Sequence, residues 1–177
     1  MSTSRESKGE KHQAIISSEV EVHTSKKVKR TDLQKLECLR KAISNSKEHI
    51  KAGDPTRIHS QYIRYALDEF VSLNKCFSTK AVDLNRRDVI YEHVVPHSVV
   101  MKKLLELDSL TDENIMSVLK KFYVICVITK EEDKRLSAAG LRRDMPHQWN
   151  HENDSIFARY EHEKVQISIH KKPTAAD

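Results

Sequence analysis

The chain has 177 residues, room for one ordinary domain with tails, and carries a net charge of +5. Its 38% apolar and 32% charged residues permit a modest core, while only 3 glycines exclude a turn-rich β-sandwich and a glycine-lined nucleotide loop. No apolar run reaches the roughly 18–20 residues of a membrane span, and Cys38, Cys76 and Cys126 stand too far apart for a disulfide framework or a four-cysteine zinc site.

Residues 1–30 are rich in Ser, Lys and Glu and offer little beyond Ala14-Ile15-Ile16 to bury, so a disordered basic tail is expected, with no signal peptide. Lys26, Lys27, Lys29 and Arg30 form its basic run, read as a solvated tail or a phosphate-gripping arm. Thr31 is placed to cap a helix carrying Leu33, Leu36, Leu39, Ile43 and Ile50. Gly53-Asp54-Pro55 then stops it and starts a second helix with Ile58, Tyr62, Tyr65, Ala66, Phe70 and Leu73. The two helices are expected to form an antiparallel hairpin whose stripes are core.

Ser78 is expected to cap a short third helix through Leu84. Val89-Ile90-Tyr91, β-branched and aromatic, predicts a strand that ends at Glu92-His93-Val94-Val95-Pro96, because Pro96 has no N–H for a ladder. Val100, Leu104 and Leu107 mark a further helix, and Thr111 caps another carrying Ile115, Leu119 and Phe122. The segment from Tyr123 to Ile128 is apolar on both faces and predicts a buried strand. Thr129-Lys130-Glu131-Glu132 has the form of a capping box, so a helix starts there and ends near Gly140. Beyond Met145-Pro146, Trp149 is read as packing, and the alternation Val165, Ile167, Ile169 as a late edge strand.

At the first strand's end Glu92 and His93 point to opposite faces, so at least one is offered to solvent or a cleft. A carboxylate binds a hard cation and a neutral imidazole accepts a proton near pH 7, so the pair can divide those roles. His97 is read as a helix-start residue, and His147, His151 and His162 as exposed histidines too loosely spaced for a ligand set.

Ile90-Tyr91-Glu92-His93-Val94-Val95-Pro96, with Val127-Ile128-Thr129-Lys130-Glu131-Glu132-Asp133-Lys134-Arg135-Leu136 downstream, resembles the two halves of an HNH, or His-Me finger, endonuclease core. The resemblance covers roughly Ile90 to Leu136, and together with the helical patterning of the flanks it leads to an expected α+β, mostly helical fold. An N-terminal helical hairpin leads into a ββα-metal core with a helical insertion between its two strands. Combined with the patterns flanking it, the resemblance divides the chain into a tail at 1–30, a helical region at 31–86, the nuclease-like core at 87–144 and a C-terminal extension at 145–177. It also implies a catalytic His93 acting as general base and one divalent ion, Mg²⁺ or Mn²⁺, held by Glu92 and Asp133. The expected activity is hydrolysis of DNA phosphodiester bonds.

Arg142, Arg143 and Arg159 are candidates for binding the nucleic-acid backbone. The central asparagine of the family's pattern is absent, and Asp133 stands where His or Asn is usual. Two alternatives therefore stay open: a noncatalytic nucleic-acid-binding module on the same scaffold, and a helical protein-interaction domain. The expected setting is cytoplasmic, with DNA as partner, no membrane and no structural zinc; a homodimer is left open.

Overall fold

A computed structural model of the chain describes residues 30–170. The tail at 1–30, with Lys26, Lys27 and Lys29, therefore lies outside the described residues except for Arg30. The fold is α+β: helices surround one four-stranded mixed sheet of strand order β2-β3-β1-β4.

Helix α1 (Asp32–Lys51) starts where Thr31 and Gln34 cap each other's backbone N–H groups, at 3.3 and 2.9 Å. It ends before Gly53, whose φ of +104° turns the chain toward α2 (Thr56–Leu67) as the sequence predicts. The hairpin buries Leu36, Leu39, Ala42 and Ile43 of α1 against Ile63, Ala66 and Leu67 of α2. The expected core stripe of α2 is only half right. Ala66 and Phe70 are buried, whereas Ile58, Tyr62 and Tyr65 are 65%, 48% and 73% exposed. Helix α2 carries two apolar stripes, and the one completed by Ile63 and Leu67 meets α1.

The segment read as a third helix begins instead as a strand. Strand β1 (Lys75–Ser78) runs parallel to β3 (Ile125–Thr129), with Cys76 opposite Cys126, and turns follow it. Ser78 caps nothing there: it is fully buried and donates to Glu132 Oε2 at 2.6 Å. A four-residue strand has no periodicity of its own to read, and its pairing with β3 comes from a partner about fifty residues away.

Strand β2 (Val89–His93) pairs antiparallel with β3, from Val89 opposite Thr129 to His93 opposite Ile125. Between them lie α3 (His97–Leu105) and α4 (Asp112–Phe122), the latter capped by Thr111 as expected. Helix α5 (Lys130–Ala138) follows β3 directly, held by the predicted Thr129–Glu132 capping box, and Gly140 at φ +74° closes it. After the short α6 (Ala158–Glu161), β4 (Ile169–His170) pairs antiparallel with β1 at the sheet edge. The late edge strand thus exists, while Val165 and Ile167 are buried in the core outside it.

Strand β3 is inside the sheet, and Ile125 through Ile128 are all buried. Its alternation divides the core. Cys126 and Ile128 pack with Leu136 of α5 and with Tyr160, Val165 and Ile167, whereas Val127 packs with Ala81 and Val89 on the other face. Helices α1 to α4 enclose a separate larger cluster that reaches the sheet through Tyr123 and Val95. One sheet draws strands from 31–86, 87–144 and 145–177 alike.

Candidate functional site

Strand β2 is a sheet edge, and its last two side chains leave the sheet in opposite directions. Glu92 stands opposite Cys126 and so faces the side covered by α5 and the C-terminal segment. His93 faces the other way, its ring 5.4 Å from that of Tyr123 and 6.0 Å from that of His97. Because the strand ends here, both still line one cleft of about 610 Å³, together with Arg64, His97, Arg142, Arg143 and Asp144.

Burial decides the charge state of this cleft. It pushes the His93 imidazole down to about 4, helped by the positive charge of neighbouring His97, Arg64 and Arg159. His93 is therefore neutral at pH 7. Burial lowers His97 as well, and it raises the Tyr123 phenol to about 12. His93 Nε2, His97 Nε2 and the Tyr123 hydroxyl are all buried without a hydrogen-bond partner among the described residues. His93 and His97 line the cleft, so their unsatisfied nitrogens can be partnered by a polar group bound there. His97 does begin α3, as expected, and it also faces the cleft.

Burial also raises the Glu92 carboxyl, opposed by the hydrogen bond and charge of Arg159 and reinforced by the charge of Asp133. Arg159 Nη2 donates to Glu92 Oε1 at 2.7 Å. This overturns the reading of Arg159 as a backbone-binding arginine. It has no exposed surface, and its guanidinium donates to the carbonyls of Val94, Leu141, Arg142 and His93 as well as to Glu92. No donor is left for a phosphate. A lone arginine in a polar tail reads as surface, and only the folded C-terminal segment carries it inward.

Arg142 and Arg143 are exposed and line the cleft. Arg64, which sequence reasoning missed, joins them from α2, and nothing local to α2 distinguishes it from any exposed helical arginine. Asp133 is half-buried in the first turn of α5, on the Glu92 side of the sheet, near enough for its charge to act on Glu92 but not among the cleft-lining residues. Glu92, His93 and Asp133 do not bring three ligand atoms within 4.8 Å of one another; among the described residues only His49, Asp54 and His59 do. Of the downstream histidines, His147 is exposed, while His151 and His162 are half-buried. Trp149 packs as expected, edge-on to Phe122, with its Nε1–H donated to the Ser155 carbonyl at 2.9 Å.

The described residues include no helix long and apolar enough to cross a membrane. In comparisons with known proteins, no family model, no curated protein and no solved structure matches the chain.

Proposed function

We propose that the chain is a divalent-metal-dependent endonuclease acting on DNA. The observation that carries this reading is the cleft itself, which His93 and Glu92 line together with three arginines, Arg64, Arg142 and Arg143. Guanidinium groups suit phosphate oxygens, and a neutral imidazole can take a proton from water.

Glu92 and Asp133 fit a hard cation by their donor chemistry. Burial chiefly raises the Glu92 carboxyl and the charge of Asp133 adds to it, so a cation near both would relieve that repulsion. Bound there, Mg²⁺ or Mn²⁺ would stabilise the charge that develops on phosphate oxygens during hydrolysis. His93 removes the proton from the attacking water, and Arg142, Arg143 and Arg64 hold the scissile phosphate and its neighbours. Arg159 orients Glu92 from beneath.

The noncatalytic nucleic-acid-binding module is favoured by one specific contact: Arg159 already supplies Glu92 with a cation. Plasmid cleavage separates the two. Mg²⁺- or Mn²⁺-dependent nicking by the wild-type chain, lost in His93→Ala, supports the enzyme. DNA binding without cleavage under every metal condition supports the module, and neither binding nor cleavage removes both.

A further inference from the structure

Far along the chain from Glu92 and His93, the turn joining α1 to α2 gathers three side chains around one volume. His49 lies in the last turn of α1, Asp54 in the Gly53-Asp54-Pro55 turn and His59 in the first turn of α2. His49 Nδ1 is 3.1 Å from Asp54 Oδ2, and His59 Nε2 is 3.4 Å from the same oxygen. The two imidazole rings stack, with centroids 5.2 Å apart and 20° between their planes. One ligand atom from each of the three residues falls within 4.8 Å of the other two.

Hydrogen bonding accounts for only part of this arrangement. His49 and Asp54 form a hydrogen bond, whereas His59 Nε2 is buried without a partner, although its side chain is only 12% exposed and Asp54 is close by. The 3.4 Å approach lacks hydrogen-bond alignment. It does suit a different geometry: nitrogen and oxygen ligands about 2.0–2.1 Å from a tetrahedral ion stand about 3.3–3.4 Å from each other.

We propose that His49, Asp54 and His59 bind a borderline transition-metal cation of the Zn²⁺ type, with a fourth position open to solvent. Two imidazole nitrogens and one carboxylate oxygen form a ligand set that favours Zn²⁺ over Mg²⁺, which selects oxygen ligands. The backbone supplies preorganisation. Gly53 at φ +104° and the Asp54 N–H donated to the His49 carbonyl at 3.0 Å fix the turn between the first two ligands. The partial negative charge at the C-terminus of α1 also favours a cation there. Binding staples the end of α1 to the start of α2. The expectation of no structural zinc came from the cysteine spacing and from His147, His151 and His162, and it does not extend to His49 and His59.

Isothermal titration of the full, metal-free chain with Zn²⁺ alone tests the site, with thermal melting as a second readout. The expected result is one equivalent that depends on the turn, a raised Tm, and at least about a tenfold loss of its affinity in both His49→Ala and His59→Gln. The equivalent lost in the histidine variants should persist in Glu92→Gln, which separates this site from any ion held in the cleft. His49 is 61% exposed, so its removal should leave the fold intact, as circular dichroism of His49→Ala can verify. No Zn²⁺ binding, binding unchanged in both histidine variants, or binding lost in Glu92→Gln instead overturns the proposal.

Discussion

Arg159 shows how much one buried side chain can hold. Its guanidinium joins the end of β2, the segment after α5 and the carboxylate of Glu92. Removing it leaves Glu92 without its cation and several carbonyls without donors, so Arg159→Met should destabilise the chain by about 3–5 kcal/mol. Arg159→Lys should recover only part of that loss, because an ammonium cannot reproduce a planar fork with several fixed donors. Urea unfolding of both variants provides the measurement. A loss below about 1 kcal/mol for Arg159→Met would show that these contacts contribute little net stability.

His93 carries a prediction in pH. An ordinary imidazole titrates near 6.5, and burial holds this one to about 4, so between those values the unfolded chain takes up a proton that the native chain refuses. The stability linked to His93 is therefore fully present above about 6.5 and is lost as the pH falls toward about 4. Its size is on the order of 3 kcal/mol at most. An NMR titration of the metal-free chain should place the His93 midpoint near 4. His93→Asn should unfold with a flatter pH dependence in that window. A midpoint at the ordinary value would contradict the burial on which the neutral base depends.

At the scale of elements, the start of α5 shows a local signal put to a distant use. Glu132 closes the capping box by accepting the Thr129 N–H at 2.8 Å, and the same oxygen accepts the Ser78 hydroxyl at 2.6 Å. One buried carboxylate thereby ties α5 to the end of β1, on the far side of β3 from β2. Ser78→Ala should cost about 1.5–3 kcal/mol, the range for a hydrogen bond to a charged group, and Thr129→Ala about 1 kcal/mol as an ordinary cap. Chemical denaturation of the two variants checks the order. A larger loss for Thr129→Ala would show that the box, and not the strand contact, is what Glu132 chiefly supports.

At the scale of the whole molecule, Arg64 from one helix and Arg142 and Arg143 from a loop far along the chain share one cleft, where their charge is concentrated beside Glu92 and Asp144. If the cleft binds nucleic acid, Arg142→Gln and Arg143→Gln should each weaken DNA binding and reduce the slope of log affinity against log salt by about one. Fluorescence anisotropy across a salt series measures this. Slopes equal to that of the wild type would place the phosphate contacts elsewhere.

Much of the architecture was legible because its signals are local. Thr31, Thr111 and Thr129 act as caps within one turn, Gly53 and Gly140 stop helices through their own φ, and the unbroken apolar run of β3 announces a buried strand. The adjacency of Glu92 and His93 was also on the page, and with it their divergence to opposite sides of β2. Other features depended on partners distant in the chain. Which apolar stripe of α2 meets α1, the existence of β1, the burial of Arg159 and the arrival of Arg64 at the cleft are all settled by packing between elements. The sequence by itself determined helices α1 to α5, the glycine stops, the central strand and the acid–imidazole pair, since hydrogen bonds and backbone preferences within a few residues suffice for each. Only the tertiary structure decided what surrounds that pair, because burial and charge at Glu92 and His93 come from α2, α5 and the C-terminal segment together.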